Sequence, residues 1–354
     1  MGSGLDASRT RVPRRTNSES AAAACCIQMT AAIRGAPQII SSVGDTRPHG
    51  VTKLPHIAVC VCTYKRPELL KQLLTAVERQ TTDGVFEFSV VVADNDAKMS
   101  AQATVREFGA KSQLEIEYCV EPEQNIALAR NRAISAAKGE FVAFIDDDEL
   151  PEPMWLQQLY DAMMRFKADG VLGPVKPYLL ENVPRWAVRA GFFDRPNSRD
   201  YDSGMRLHWS QTGTGNVLLR RSSLNNGDAP FLREFGSGGE DVDFFRRSIE
   251  AGKVFVWSAE ALAYEVIPAE RTKLSFQLRR ALLRGQGSLA SPAGRPLGIL
   301  KSIAACVTYA VLLPISLLCG RAIFARYLVK SCDHLGKLTA RVGLPLIKQV
   351  YVLE

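Results

Sequence analysis

Short apolar runs alternate with longer segments of helical spacing between residues 56 and 167, and this alternation limits the fold to one class. The apolar runs are His56–Thr63, Phe86–Ala93, Leu114–Val120 and Phe141–Ile145, and the helical segments are Pro67–Gln80, Ala101–Phe108, Ile126–Ala137 and Pro153–Lys167. Strands that alternate with helices predict an α/β domain with a largely parallel sheet. In such sheets the ligand crevice lies past the carboxyl ends of the strands. We therefore expect the polar residues that follow each strand to converge on one site.

The composition divides the chain into three regions. Residues 1–54 are rich in Ser, Ala, Arg, Thr and Pro and have no sustained periodicity, so we predict a disordered arm. Residues 55–270 carry the α/β pattern, which continues past an irregular stretch at 170–210 with a strand at Gly215–Arg220, a helix at Gly238–Gly252 and a strand from Lys253. Residues 271–354 are basic and apolar and predict helices that associate with a membrane.

The positive charge of the chain lies in this last region. From Arg271 to the end there are thirteen Lys or Arg and two acids, whereas the whole chain has a net charge of +7. Arginines that are interleaved with aliphatic runs suit anionic lipid headgroups, and no basic face for nucleic acid is visible in the folded region. Ser302–Cys319 is a run of 18 uncharged residues, close to the roughly 20 that span a bilayer. Pro314 within that run favours a kinked or re-entrant segment.

The chain has eight cysteines, and none has the spacing of metal ligands. Cys60 and Cys62 alternate within a predicted strand, which is typical of core positions. This usage predicts a reducing, cytosol-facing compartment with no disulfide framework.

Four consecutive acids, Asp146 to Glu149, follow a predicted buried strand. Two carboxylates about 6 Å apart repel one another by roughly 3 kcal/mol at an effective dielectric constant near 20, and a hard divalent cation reverses that sign. Mg²⁺ or Mn²⁺ prefers one or two carboxylates together with phosphate oxygens. In an extended strand end, Asp146 and Asp148 would face one side and Asp147 the other. The alternative interpretation is a solvated loop that caps the helix beginning near Pro153.

A second acidic pair, Glu240-Asp241, opens the predicted helix after two glycines. Acids in a first helical turn complement the helix dipole, which is a sufficient structural reason for them. The functional interpretation is a general base, because a carboxylate within about 3 Å of a hydroxyl can take its proton as the hydroxyl attacks. The glycines allow a substrate to approach the backbone closely.

Six short motifs follow one another along the chain: Val61-Cys62-Thr63-Tyr64-Lys65-Arg66-Pro67, Val91-Val92-Ala93-Asp94-Asn95, Ala129-Arg130-Asn131, Phe144-Ile145-Asp146-Asp147-Asp148, Gly213-Thr214-Gly215-Asn216 and Gly239-Glu240-Asp241. In this order they resemble family 2 glycosyltransferases of the GT-A fold, and most closely the bacterial exopolysaccharide type such as the succinoglycan glucosyltransferases. The resemblance covers residues 56 to 287. It implies a Rossmann-like, nucleotide-diphospho-sugar transferase fold for residues 55–270.

The resemblance also implies a role for each matching position. The implied donor-binding residues are Thr63 and Tyr64 at the nucleobase, Asp94 on a uracil base, Arg66 and Arg130 at the nucleotide, Asp146 at the ribose or a metal-bound water, and Asp147 beside it. Asp148, with Asp146, would bind Mg²⁺ or Mn²⁺. Asp241 would be the base that attacks with inversion, Glu240 an acceptor contact, and Asn216 a neighbour of the acceptor or sugar. A surface Arg130 on an Ala-rich helix and a plain turn at Asn216 are the structural alternatives.

The sequence departs from the family in two places. Many relatives have a metal-binding His after the last strand, where this chain has Tyr264-Glu265. Glu265 then serves as an oxygen ligand, or the metal has one firm protein ligand. Polymerising relatives carry Gln-x-x-Arg-Trp, whereas Gln277 to Ala281 lacks the Trp, so we expect transfer of a single sugar. Arg280 of this segment has two interpretations, a diphosphate contact and a lipid-headgroup contact.

The sequence therefore predicts an inverting, non-processive transferase that moves a hexose from a UDP-sugar to a hydroxyl of a lipid-linked or saccharide acceptor. It would act at the cytoplasmic face of the bacterial inner membrane. The first alternative is a polyprenyl-phosphate sugar synthase of the same fold, whose ionised acceptor needs no base. The second is a non-catalytic, membrane-docked carbohydrate-binding protein. A sugar-phosphate nucleotidyltransferase is disfavoured because no Gly-rich phosphate loop precedes a Lys after the first strand.

Overall fold

A computed structural model of the chain describes residues 53–179, 183–193, 201–224, 229–236, 238–287, 296–344 and 346–347. Lys53–Glu354 groups into one compact unit. The predicted disordered arm falls almost entirely on residues 1–52, which lie outside the described residues. The predicted boundary near residue 270 between a catalytic and a helical region stays a prediction.

Seven strands form the central sheet, in the order β3-β2-β1-β4-β8-β6-β9. They are β1 (His56–Thr63), β2 (Glu87–Asp94), β3 (Ile116–Val120), β4 (Phe141–Ile145), β6 (Gly170–Leu172), β8 (Asn216–Arg220) and β9 (Phe255–Trp257). The first four strands are parallel, β8 runs antiparallel to both β4 and β6, and β9 is parallel to β6. The expected largely parallel α/β sheet is confirmed, with β8 as its one reversed strand among the described residues.

A second sheet of three strands covers the end of β4. It consists of β5 (Glu149–Pro151), β7 (Val175–Leu179) and β10 (Ala263–Ile267), with β10 in the middle. β10 is antiparallel to β5 and parallel to β7. The register pairs Glu265 with Glu149, so the last strand of the domain lies directly beside the acidic run.

Nine α-helices are present in the described part of the chain. They are α1 (Pro67–Glu78), α2 (Gln102–Gly109), α3 (Ile126–Ala136), α4 (Trp155–Phe166), α5 (Arg185–Arg189), α6 (Glu240–Glu250), α7 (Leu274–Gly287), α8 (Pro296–Leu318) and α9 (Arg321–Arg341). Pro67 occupies the first turn of α1, as its fixed φ angle favours. α3 begins after Asn125, whose side chain accepts a hydrogen bond of 3.1 Å from the Leu128 N–H.

The core lies on both faces of the central sheet, which explains the near-continuous apolar runs of the inner strands. Ile57, Val59 and Val61 of β1 pack into one cluster with α1 and α4. Ala58 and Cys60 point to the opposite face and pack with α3 and α6. Cys60 is fully buried, and every cysteine in the described part of the chain is a free thiol.

The stretch 170–210 is more regular than its sequence indicates. Within it the structure has β6, β7 and α5, which contain three to five residues each. Elements this short give too few positions to establish a period. Gly170 is needed at the start of β6, because a Cβ there would lie 2.6 Å from the Phe255 ring.

The three C-terminal helices form a layer, in which α9 contacts both α7 and α8. Pro314 lies inside α8, a helix of 23 residues, and the expectation of a kinked or re-entrant segment stays a prediction. Among the described residues, Gly298–Leu318 is the one stretch long and apolar enough to cross a membrane by length and composition.

Candidate active site

A cavity of about 450 Å³ lies at the carboxyl ends of β1, β2 and β4, where the strand-end rule places a ligand. Its volume suits a nucleotide-sized ligand. Residues after these strands form one wall, and α7 forms the other. The polar lining residues are Thr63, Tyr64, Arg66, Asn95, Arg130, Asp146, Asp147, Asp148, Arg271, Arg279 and Arg280.

The acidic run does not continue the strand. It makes a tight turn, in which the Glu149 N–H donates to the Asp146 carbonyl over 3.0 Å. The expected alternation of Asp146 and Asp148 against Asp147 is therefore wrong, because a turn does not keep the two-residue period of a strand. Asp147 and Asp148 are buried and share the Arg66 guanidinium, at 3.2 Å and 3.4 Å, whereas Asp146 is partly exposed.

Asp147 links the acidic turn to the end of β1. Its Oδ2 accepts a hydrogen bond of 2.8 Å from the Thr63 hydroxyl. Burial, and then the neighbouring charge of Asp148, raise the pKa of Asp147 to about 7, although Arg66 and Thr63 act in the opposite direction. Desolvation of the buried carboxyl group is therefore the main cause of the raised pKa, and the charge of Asp148 adds to it.

Asp148 lies between two guanidinium groups. Arg66 approaches from the β1 side, and Arg271 donates a hydrogen bond of 3.1 Å from the segment after β10. Arg271 also donates to Glu265 over 2.7 Å. Asp148 and Glu265 thus share the Arg271 guanidinium. This contact lies in the region where the family resemblance implies a further metal ligand.

Arg130 joins the acidic turn to the start of α6. Its guanidinium forms an ion pair with Asp146 at 3.5 Å and a hydrogen bond with Glu240. Both Arg130 and Glu240 are buried. Arg130 is therefore not the surface arginine of the structural alternative, since it holds together carboxylates that are 94 positions apart in sequence.

Asp241 lies on the exposed side of the same helix start. Gly238 and Gly239 precede α6 with φ angles of +124° and +91°, which glycine adopts without the steric cost of a Cβ. A Cβ on Gly213 would lie 3.7 Å from Asp241 Oδ2, and one on Gly215 would lie 3.2 Å from Asp146 Oδ2. Asp146 and Asp241 therefore approach the same three-residue segment, and the two acidic motifs lie on one side of the molecule.

Asp94 and Asn216, which the resemblance assigns to ligand contacts, have side chains that hydrogen-bond inside the protein, and their contacts with a ligand stay a prediction. Asp94 is fully buried, and its carboxylate accepts hydrogen bonds from the Ala101 N–H at 2.7 Å and the Tyr118 hydroxyl at 2.9 Å. Burial raises the pKa of Asp94, while these hydrogen bonds act to lower it. The neighbouring Asn95 lines the cavity in its place.

Asn216 has a similar internal position. Its side chain is buried and donates to the Pro174 and Ala261 carbonyls at 3.0 Å and 2.7 Å. Its Oδ1 accepts a hydrogen bond of 2.7 Å from the Trp155 indole. Asn216 is not among the cavity lining, because its amide connects the central sheet to α4 and to the segments that flank the second sheet.

Sequence reasoning missed Arg271 and passed over Asn95 as a site residue. Arg271 was counted only as part of the basic C-terminal region. It follows β10 by four residues, so the same strand-end rule that found the other site residues would have found it. The helix α7 contributes Phe276, Arg279, Arg280 and Leu283 to the cavity.

The residues of the acidic turn determine whether the site can hold a divalent cation. In the described part of the chain, no cluster of three or more His, Cys, Asp or Glu side chains has metal-binding geometry. The carboxylates of Asp146 and Asp148 do fit the smaller protein contribution that Mg²⁺ or Mn²⁺ needs when phosphate oxygens complete its shell. A cation bound at the turn would offset the repulsion between Asp147 and Asp148, which adds to the effect of burial in raising the pKa of Asp147.

The chain belongs to glycosyl transferase family 2. The family model matches residues 58–227, which include the acidic turn and the cavity lining from β1, β2, α3 and β4. The protein is therefore a glycosyltransferase, and the predicted GT-A class is confirmed by the family together with the sheet described above.

Curated relatives support this membership over most of the chain. The succinoglycan biosynthesis protein ExoM of Rhizobium meliloti is 34% identical over 309 residues, which cover 83% of this chain and 95% of that protein. Chondroitin synthase of Pasteurella multocida is 26% identical over 253 residues, and the chain matches only 25% of that enzyme. The crystal structure of Staphylococcus aureus TarS 1–349 with UDP-GlcNAc is similar with a TM-score of 0.47 and 17% identity, over 81% of this chain and 92% of that chain.

Proposed function

We propose that the protein is an inverting, non-processive glycosyltransferase that moves one hexose from a UDP-sugar to a hydroxyl acceptor at a membrane. The observation that carries this proposal is the Arg130 bridge between Asp146 and Glu240. It fixes a donor-side carboxylate and the start of α6 at a constant separation. A sugar between them has a leaving group on one side and Asp241 on the other.

The donor diphosphate occupies the cavity between the acidic turn and α7. Arg271, Arg279 and Arg280 line that wall, and guanidinium groups bind phosphate oxygens with strong, charge-assisted hydrogen bonds. Thr63, Tyr64 and Asn95 lie toward the ends of β1 and β2, where a nucleobase fits. The proposed nucleotide is UDP, because the family resemblance implies a uracil base.

Asp146 and Asp148 would hold a Mg²⁺ or Mn²⁺ ion together with the donor. When bound, the ion supplies positive charge at the departing diphosphate. The protein contributes the rest of the neutralisation through Arg271 and the arginines of α7. Arg271 exchanges part of its contact with Asp148 for the phosphate oxygens as the donor binds.

Asp241 removes the proton of the acceptor hydroxyl as the hydroxyl attacks the anomeric carbon. The bond to the diphosphate oxygen breaks in the same displacement, so the configuration inverts and no covalent intermediate forms. Glu240 is buried against Arg130. Its proposed role is therefore to position the helix start, and the expected acceptor contact falls to Asp241 and the glycines before it.

Transfer of a single sugar is favoured because Gln277 to Ala281 lacks the Trp of polymerising relatives. Gln277 instead donates from its side chain to the Arg271 carbonyl. This bond secures the segment that carries Arg271 to α7. The acceptor is proposed to be lipid-linked, at the cytoplasmic face of the inner membrane, because a basic and apolar helical layer adjoins the cavity.

The decisive experiment measures nucleoside diphosphate release from UDP-, GDP- and dTDP-hexoses with extracted lipid-linked acceptors. We expect release with a UDP-hexose and a divalent metal, and loss of release with chelator. Chemical analysis of the product then reports one added sugar of inverted configuration. Equal release from all three nucleotides, or a product with many added sugars, contradicts the proposal.

The remaining rival is a polyprenyl-phosphate sugar synthase. Its acceptor is already ionised, so it gains nothing from a base. Product linkage separates the two, since mild acid cleaves a sugar phosphodiester and leaves a glycosidic bond intact.

A further inference from the structure

Most of the large aliphatic side chains of the helix α8 are exposed, whereas two of its serines are buried. Val307 and Val311 are each 62% exposed, and Leu318 is 90% exposed. The other large aliphatic residues of this exposed face are Leu300, Ile303, Ile315 and Leu317. Helices that pack on a water-soluble protein show the opposite arrangement. This exposed face, Leu300 to Leu318, is called the α8 apolar face below.

The buried side of α8 carries hydroxyl groups. Ser302 and Ser316 are buried, at 3% and 2% exposure, and Tyr309 lies half-way between them. Ser302 hydrogen-bonds the His334 ring over 3.2 Å, and the Tyr309 ring lies 5.7 Å from that of Tyr327. Ser302, near the start of α8, contacts His334 in the second half of α9, whereas Tyr309 contacts Tyr327 in the first half. The two helices therefore run antiparallel, side by side.

This pairing decides how α8 can meet a bilayer. α9 carries five Lys or Arg and one Asp in 21 residues. If α8 crossed the bilayer, Lys330 and Asp333 would lie beside its central turns, since they lie between Tyr327 and His334, the α9 residues that pair with Tyr309 and Ser302. Each buried Lys or Arg costs about 3 kcal/mol at the membrane centre on insertion scales. α9 is held against the end of α5, because Arg326 donates hydrogen bonds to the Ala190 and Arg189 carbonyls at 3.0 Å and 2.9 Å.

We infer that α8 does not span the membrane but lies in the plane of an anionic bilayer surface, with the α8 apolar face in the acyl boundary. Lys301 lies near the start of the face and Arg321 lies just past its end, and both are exposed, which places cations where phosphate headgroups lie. The occupant of the face is therefore an anionic phospholipid surface. The docking itself is independent of the proposed function.

The docked surface is connected rigidly to the cavity. Arg284 of α7 pairs with Asp333 of α9 at 3.0 Å. A Cβ on Gly285 would lie 2.2 Å from the Asp333 carbonyl oxygen, and one on Gly336 would lie 2.4 Å from the Leu282 carbonyl oxygen, so the two backbones are in direct contact. α7 lines the cavity. Resting on the proposed function, this arrangement favours an acceptor that is delivered from the same membrane.

The test uses the full chain, the double variant V307D/V311D and the control V85D, which makes the same change at an exposed valine before β2. Binding is measured by flotation with phosphatidylcholine vesicles that contain or lack phosphatidylglycerol, without donor. We expect the wild type and V85D to bind the anionic vesicles, and V307D/V311D to lose roughly tenfold or more in affinity. Equal binding of the double variant overturns the inference.

Two further measurements separate the alternatives. Alkaline carbonate releases a protein that lies on the surface and leaves a spanning protein in the pellet, so retention in the pellet overturns the in-plane assignment. If a second copy of the chain covered the α8 apolar face, the wild type would be a dimer that binds no vesicles, and V307D/V311D would be a monomer. That result would also overturn the inference. Circular dichroism and metal-dependent UDP release report whether the variant is folded, so failure of catalysis and failure of docking remain distinguishable.

Discussion

Arg271 and Asp148 are 123 positions apart in the sequence, and their side chains lie 3.1 Å from each other. The same guanidinium reaches Glu265 at 2.7 Å, and all three groups are largely buried. Two carboxylates that share a buried cation lose much of their compensation when the cation is removed. The segment after β10 is thereby attached to the acidic turn after β4.

Replacement of Arg271 tests this attachment. We expect Arg271→Ala to lower the free energy of unfolding by about 3 kcal/mol, since the buried Glu265 loses its hydrogen bond from Arg271 and Asp148 retains one of its two guanidinium partners, Arg66. The matched control is Arg233→Ala, because Arg233 and Glu123 form an exposed pair and its loss should cost less than about 1 kcal/mol. Denaturant titration at neutral pH measures both, and equal losses would contradict the argument.

Arg130 supplies the second connection, and it is tested by a change that keeps the charge. Arg130→Lys retains the cation but loses the planar fork that contacts Asp146 and Glu240 together. We expect kcat to fall roughly tenfold to a hundredfold, because misplaced catalytic groups cost about that much. Arg132→Lys, an exposed position on the same helix, should leave kcat unchanged. A normal kcat for Arg130→Lys would show that the bridge does not position the site.

Asp241 is expected to carry the proton transfer. Asp241→Asn should reduce transfer to a hydroxyl acceptor by about 10²- to 10⁴-fold, with donor binding retained. The control Asp83→Asn lies in an exposed turn with φ +44°, which Asn also tolerates. Steady-state UDP release and calorimetric UDP binding separate the two effects. Full turnover in Asp241→Asn would favour the ionised phosphate acceptor of the rival reaction.

Asp333 gives the helical layer a pH dependence. Burial acts to raise its pKa, but the hydrogen bonds from Lys337 and Arg284 outweigh burial, so the pKa is lowered. A lowered folded pKa stabilises the protein above the unfolded value, near 3.9, and this contribution is lost as the pH falls through the folded pKa. We expect the free energy of unfolding of the wild type to exceed that of Asp333→Asn by about 1 kcal/mol at pH 7. This difference should shrink below about pH 5. A difference that is constant with pH would exclude this origin.

The close approach of α7 and α9 predicts a steric effect at Gly336. Gly336→Ala should destabilise the helical layer by about 1–3 kcal/mol, because the new Cβ would lie 2.4 Å from a backbone oxygen. Gly109→Ala in α2 is the control, since nothing lies within 4 Å of its Cβ, and it should be neutral or slightly stabilising. Thermal unfolding compares the two, and matching melting temperatures would contradict the packing.

The strand-end rule predicted much of the site from local pattern alone. Each strand end is marked by a change from apolar to polar residues, and parallel strands bring such ends to one edge. Thr63, Tyr64, Arg66 and the three aspartates of the acidic turn lie at strand ends and line the cavity, whereas Arg130, which also lines it, was found through the family motif on α3. Asp94 and Asn216, which the family resemblance assigned to ligand contacts, have side chains that hydrogen-bond inside the protein, because a contiguous motif does not say which way a side chain turns.

The sequence by itself determined the α/β class, the order of the main elements and the family, because these depend on periodicity and on contiguous motifs. Only the tertiary structure decided which cation neutralises which carboxylate: Arg130 with Glu240, and Arg271 with Asp148. It also decided that α8 faces outward with its aliphatic side, although its composition is that of a spanning segment. The physical reason is that an ion pair or a helix face depends on distances between residues far apart in the chain, and no local pattern encodes those distances.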